Sequence, residues 1–263
     1  MSSDRAPDAE ARGYEEPREG DAETTTAARV RIALNREIFR GLILAVGTTT
    51  IAMSKLGLPR AFVWSFAKLA ARNTCRVLGV SVTVHGAELV EDEGPYVFTP
   101  NHQAHIDIAA LIGHLPGPNR FAAKTELFDE PILGAVMRTL GMLPVDRDDP
   151  MKSIAILHRA MEQGSSIVIF PEGTRSRDGA LLPFKKGAFV AAIEMGYPVV
   201  PVVLKGTRRV MPKGGYLSIH PGEIEIVIKP PIPTKGLSYE DRDRLRDSVR
   251  AIVAEEFAKP IGA

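Results

Sequence analysis

From Gly79 to the C-terminus, short runs of β-forming residues alternate with stretches of helical character, and this alternation constrains the fold more than any other feature. Strands are predicted at Ser81–His85, Tyr96–Thr99, Asn119–Ala123, Met142–Val145, Ser166–Phe170, Val199–Leu204, Tyr216–Ile219 and Ile224–Ile228. Helices are predicted at Ile108–His114, Ile132–Thr139, Met151–Gln163, Gly187–Met195 and Tyr239–Phe257, the last opened by a Ser238-Tyr-Glu-Asp241 capping pattern. The expected fold is therefore α/β, a largely parallel central sheet flanked by helices. Folds of this kind place their chemistry where the strands end at their carboxyl edge.

Two segments of different character precede that region. Residues 1–27 hold Pro, Glu, Ser, Thr and Gly with almost no large apolar side chains, so a disordered acidic tail is expected. It lacks the basic start and apolar stretch of a secretory signal. In residues 28–78, Arg29, Arg31, Arg36 and Arg40 precede a fourteen-residue uncharged run, Gly41–Ser54, short of the roughly 20 residues that cross a bilayer. After Leu58-Pro59-Arg60, a second segment carries Phe62, Trp64, Phe66, Leu69 and Val77 among Lys68, Arg72 and Arg76. Two short amphipathic helices with basic flanks predict a motif that lies in one leaflet without spanning it; the alternative is that both helices cover the core. Residues 79–263 form the α/β domain.

Charge divides along the same lines. Met1–Ala28 has eight acidic residues against three arginines, so the formal net charge of +1 leaves +6 for the remainder. A basic body suits anionic substrates or an anionic membrane surface. The single Cys75 excludes an intrachain disulfide and the zinc motifs that need several cysteines, and a cytosol-facing setting follows. No nucleic-acid partner is expected.

The chemistry-bearing stretch is Thr99-Pro-Asn101-His102-Gln-Ala-His105-Ile-Asp107, directly after the apolar run Tyr96-Val97-Phe98. Five positions apart, His102 and Asp107 would diverge by about 140° on a regular helix. They meet only if His102 precedes the helix and the chain turns between them, with Asp107 near the positive end of the helix dipole. A carboxylate holding one imidazole nitrogen leaves the other as a general base. Taken alone, the pair also fits a helix cap beside a satisfied histidine.

A second cluster decides between these readings. Phe170-Pro-Glu172-Gly173-Thr174-Arg175-Ser176 again follows an apolar strand. Arg175 offers a planar fork to a phosphate, Thr174 and Ser176 offer hydroxyls, and Gly173 admits backbone amides to an anion. Lys185 and Lys186 sit at a helix start, another anion site, and Lys124 and Arg147 follow two further strands. Basic residues gathered after several strands predict a phosphorylated substrate beside His102.

Asn101-His102-x4-Asp107, Lys124-x-Glu126-Leu127, Val145-Asp146-Arg147, Phe170-Pro-Glu172-Gly173-Thr174-Arg175-Ser176 and Val200-Pro-Val202 occur in an order that resembles the glycerolipid acyltransferase family, in particular its bacterial lysophosphatidic acid acyltransferases. The resemblance covers roughly Ser81–Pro233, and the preceding hairpin is typical of bacterial members. It implies an acyl thioester donor, acyl-CoA or acyl carrier protein, and a lysophosphatidic acid acceptor, with phosphatidic acid as product. It implies His102 as base, Asp107 as its orienting partner, Glu172, Gly173, Thr174 and Arg175 as acceptor-binding residues, and Lys124 and Arg147 as phosphate ligands. No cofactor or metal is expected, and the implied location is the cytoplasmic face of the cell membrane, peripheral or monotopic. The sequence departs from the family at Ala104, where serine is common, and at His105.

Three other readings remain at this point. Glycerol-3-phosphate or another lipid hydroxyl could be the acceptor. His105-x-Asp107 with His158 or His220 could form a facial triad for non-haem iron. The chain could also be a catalytically idle scaffold at a membrane surface.

Overall fold

The computed structural model describes residues 26–90, 94–117, 119–146, 148–176, 178–212 and 218–262. The expected acidic tail up to residue 25, Arg147, and the first half of the predicted strand Tyr216–Ile219 lie outside them.

Seven strands form one sheet: β1 (Val80–His85), β2 (Val97–Pro100), β3 (Asn119–Lys124), β4 (Leu143–Val145), β5 (Ser166–Val168), β6 (Val199–Lys205) and β7 (Gly222–Ile228). Their spatial order is β1-β7-β6-β2-β5-β3-β4, and every pairing is parallel except β6 with β7. The five strands β6, β2, β5, β3 and β4 therefore end at a common edge. β2 lies at the centre, pairing Val97 with Ile167 of β5 on one side and with Val199 of β6 on the other. The short central strands read as unbroken apolar runs because both of their faces are covered.

Helices α1 (Thr26–Lys55), α2 (Arg60–Val77), α3 (Ile106–His114) and the short α7 (Thr207–Val210) contribute to one face, where Phe98, Val168, Val200, Ile224 and Ile226 meet Phe39, Cys75 and Leu111. On the other face α5 (Pro150–Glu162), α6 (Gly187–Met195) and α8 (Arg242–Phe257) pack Leu157, Phe189 and Val249 against Val97, Ile167 and Val203. Adjacent residues such as Val97 and Phe98 enter opposite layers, as the two-residue strand period requires. The helix before the β3–β4 edge, α4 (Pro131–Thr139), leans on α1, where a Cβ on Gly47 would come within 2.8 Å of Val136.

Two expectations are corrected. The first helix is a single 30-residue element, much longer than its uncharged run, because the arginine-bearing segment continues in the same helix. By length and composition α1 suffices to cross a bilayer. Its Asn35 is nevertheless buried and donates from Nδ2 to the carbonyls of Leu78 and Ile219, at 3.1 Å each, which ties its first half to the α/β body. The described part of the strand predicted at Tyr216–Ile219 is not a strand; Ile219 is buried in the core and its carbonyl takes the Asn35 bond.

At the C-terminus, Ser238 and Asp241 form the expected capping box ahead of α8. Near the far end of α8, Glu256 receives Lys205 Nζ at 2.9 Å and the Nζ atoms of Lys229 and Lys259 at 3.0 Å each. Lys205 also lies 3.0 Å from Glu225, and His85 Nε2 lies 3.2 Å from the other oxygen of that carboxylate. This network joins α8 to β6, β7 and β1.

Candidate active site

β2 delivers the polar stretch to the common strand edge. Asn101, fully buried, continues the strand pairing with its side chain: Nδ2 donates to the Leu204 carbonyl at 3.0 Å and Oδ1 accepts the Leu204 amide at 2.7 Å. The chain then turns through Gln103 and Ala104 into α3, whose first turn contains Asp107. Asp107 is fully buried, and its Oδ2 accepts the amides of Gln103 at 2.8 Å and Ala104 at 2.9 Å. The same oxygen lies 2.8 Å from His102 Nδ1. With the carboxylate as acceptor, Nδ1 carries the proton and Nε2 is left with its lone pair. The His102 ring stacks on Phe170, with centroids 4.0 Å apart, and stays 15% exposed.

The loop after β5 clasps this turn. Glu172 is 2% exposed; its Oε1 accepts the His102 amide at 2.7 Å and its Oε2 accepts the Leu182 amide at 3.0 Å. Ser176 donates its amide to the His102 carbonyl at 3.1 Å. Burial pushes the Glu172 carboxyl up to about 7, against the pull of those two amides. Both oxygens are thus engaged by main chain, and the side chain braces the two loops. Gly173 turns with φ +68°, a left-handed conformation that suits glycine, and its amide donates to the Phe170 carbonyl at 3.0 Å.

Thr174 is exposed and Arg175 half-buried on this loop. The Arg175 charge reaches His105, which caps the start of α3 without a side-chain bond. Burial, then Arg175, then His102 hold His105 below its ordinary pKa. Lys124 closes β3, exposed and two strands from β2 on the same edge. Lys185 is exposed, and Lys186, also exposed, pairs with Asp243 of α8 at 3.0 Å. Sequence reasoning gave no role to Asn101, to the Phe170 ring or to Gln103, whose side chain is buried with both amide atoms unpaired among the described residues. An apolar residue type beside an active histidine, or an amide within a polar motif, carries no signal of its partner. The iron reading finds no ligand set: no three His, Cys, Asp or Glu side chains gather among the described residues, and Asp107 serves His102.

Residues 81–205 match the family described as Acyltransferase. The chain carries an acyltransferase-family domain. That domain spans both loops of the site, from β1 through β6. It is similar to the chloroplastic 1-acyl-sn-glycerol-3-phosphate acyltransferase BAT2 of Brassica napus, at 40% identity over 66% of this chain and 50% of the relative. The human 1-acyl-sn-glycerol-3-phosphate acyltransferase alpha is 32% identical over 65% of this chain and 62% of the relative. The chain spans about half the length of the plant relatives it matches. Among solved structures, the 1-acyl-sn-glycerophosphate acyltransferase PlsC of Thermotoga maritima superposes with a TM-score of 0.75 and 27% identity, covering 89% of this chain and 99% of that one. The acyltransferase domain and its two N-terminal helices therefore share one architecture with that enzyme.

Proposed function

We propose that the chain transfers an acyl group from a thioester, carried on coenzyme A or acyl carrier protein, to the free hydroxyl of lysophosphatidic acid, giving phosphatidic acid. The observation that carries this reading is the 2.8 Å contact between His102 Nδ1 and Asp107 Oδ2, which aims a basic Nε2 outward from a partly exposed ring. In the proposed step Nε2 takes the hydroxyl proton as the oxygen attacks the thioester carbonyl. The C–S bond of the tetrahedral adduct then breaks, and the departing thiolate recovers the proton from Nε2. No side chain of the protein is acylated. The names of the relatives support lysophosphatidic acid as acceptor over other lipid hydroxyls.

Arg175, Thr174, Lys124 and Lys185 are proposed to hold the acceptor phosphate, and the sequence motif proposes Arg147, which lies outside the described residues, for the same role. The apolar residues exposed on the two N-terminal helices, among them Leu34, Ile43, Leu44, Phe62 and Leu69, support a seat in one leaflet on the cytoplasmic face. Arginines at Arg29, Arg31, Arg36 and Arg40 on α1, and the Asn35 anchor, favour α1 lying along the interface over crossing it.

The test is product formation from one lysophosphatidic acid with acyl-CoA and with acyl carrier protein in parallel. His102→Ala is expected to remain folded and to lose at least about a hundredfold in turnover. Wild-type turnover in that variant would overturn the mechanism, and thioester consumption only with a different acceptor would overturn the substrate.

A further inference from the structure

A second cleft, of about 510 Å3, opens on the opposite edge of the sheet. Asn119 and Arg120, at the beginning of β3, and Ser165, just before β5, form its floor, while Arg60, Trp64 and Lys68 of α2 form one wall. The three α2 residues are spaced four apart and so share one stripe of the helix. β3 runs from this cleft to Lys124 at the other edge, and six residues of strand separate the two by roughly 20 Å. A phosphate held beside His102 therefore does not reach it.

The cleft is built for an anion. Three of its lining residues are cationic and none is acidic. Arg60 and Arg120 crowd the turn at Gly141: a Cβ there would collide with the Arg60 guanidinium, and Arg120 Nε lies 3.8 Å from the same point. Arg120 donates to the neutral Gln163 Oε1 at 3.2 Å. Burial, and after it the Arg60 charge, pull Arg120 below its ordinary pKa, so the two like charges are close enough to oppose each other. Two buried polar atoms of lining residues lack hydrogen-bond partners among the described residues: the donor Trp64 Nε1 and the acceptor Asn119 Oδ1. Asn119 is 2% exposed, and its Nδ2 is fixed by the carbonyls of Pro116 at 2.9 Å and Gly117 at 3.2 Å. A ligand held between the Arg60 and Arg120 guanidiniums and the Lys68 ammonium is an anion, and a phosphate fits their forked donors. The segment entering α2 exposes Leu56, Leu58 and Phe62, so an apolar surface borders the cationic one.

We propose that this cleft binds the glycerophosphate headgroup of an anionic phospholipid, as a site separate from the acyl-transfer centre. The anion site stands on the cleft itself; its lipid source rests on the seating of α1 and α2 in a leaflet. The headgroup would fix the hairpin on the membrane at a point remote from the chemistry, leaving the carboxyl edge open to substrates.

The experiment uses the full chain and vesicles of phosphatidylcholine with and without phosphatidylglycerol, alongside calorimetric titration with inorganic phosphate and with soluble glycerophosphoglycerol. Arg60→Gln with Arg120→Gln should weaken binding to the anionic vesicles about tenfold and leave binding to neutral vesicles unchanged. A control that removes two charges from α1, Arg29→Gln with Arg31→Gln, should have a smaller effect. Circular dichroism monitors folding, and turnover of a water-soluble short-chain substrate should be unchanged in both variants. Equal losses in the cleft and control variants would assign the preference to diffuse charge and overturn the site. Inorganic phosphate binding as tightly as the soluble headgroup, with no vesicle preference in the wild type, would overturn the lipid source. Absence of turnover in the wild type would instead strike the acyl-transfer reading and leave the vesicle result to be read independently.

Discussion

Glu172 and His102 are joined side chain to main chain: Glu172 Oε1 takes the His102 amide at 2.7 Å, across 70 residues of sequence. His102 is thereby held from two directions, its ring by Asp107 and its backbone by the loop after β5. A buried carboxylate raised to about 7 by desolvation favours its neutral form in the folded chain. Its folded pKa lies above the ordinary 4.5, so its stabilising contribution is complete below pH 4.5 and fades as pH rises to about 7. Melting temperatures of wild type and Glu172→Gln, compared between these limits, should show the wild type losing ground as pH rises, by up to about 3 kcal/mol. A constant difference would refute the assignment. Glu172→Gln also places an amide donor against a backbone donor, so turnover should fall about tenfold or more with KM for the lysolipid little changed, as expected for a positioning residue.

Asp107→Asn keeps an oxygen able to accept the amides of Gln103 and Ala104, so the turn before α3 should survive. What it loses is the charge that fixes the His102 tautomer. Turnover is expected to drop by about three to four decades with the melting temperature within a few degrees of wild type. A variant that unfolds, or one that retains activity, would separate the cap role of Asp107 from its role in orienting His102.

Asn101→Ala should be a stability mutant first. It strands the buried amide and carbonyl of Leu204, each of which costs about 1–3 kcal/mol when unpaired. Urea unfolding should register a loss of about 2 kcal/mol or more, and activity should fall with it because the same residue fixes the start of the His102 turn.

The lysine network around Glu256 gives the fold an acid limit. Burial alone would raise this carboxyl, but the hydrogen bonds from Lys205, Lys229 and Lys259 outweigh it and bring it down to about 2. A depressed folded pKa means the contribution is complete above pH 4.5 and is lost as pH falls toward 2. Glu256→Gln should cost about 1.5–3 kcal/mol at neutral pH, since it weakens the charge-assisted bonds to the lysines while the buried Lys205 keeps Glu225. Its deficit should shrink on acidification, as followed by urea unfolding at pH 7 and pH 3; a deficit independent of pH would argue that the lysines contribute nothing.

The sequence carried the sheet, its direction and the His102–Asp107 pair, because apolar runs closed by Pro or polar residues mark the strand ends that a parallel fold turns into a site. It did not carry the length of α1, since arginines that interrupt an apolar run do not interrupt a helix. Nor did it disclose the bonding of Glu172. A carboxylate in a loop of Gly, Thr and Arg has the composition of a ligand set, and only the fold reveals that main-chain amides of residues 102 and 182 arrive first. The pairing of Lys186 with Asp243 was hidden for a similar reason: the two are distant in sequence and become neighbours only through the packing of α8. The motifs identified which side chains matter; their division into those that touch substrate and those that hold the site needs three dimensions.

The central strand β2 has neither neighbour until β5 and β6 have been made, because Val97 waits for Ile167 and Val199. On a ribosome, α1 and α2 emerge before the strands that flank β2, while His102 is still in an unpaired segment. The catalytic turn gains its second clasp only when Glu172 and Ser176 follow, and its strand lock only with Leu204. Non-local pairing of this kind is slow to form, so the His102 turn is among the last parts of the sheet edge to be completed.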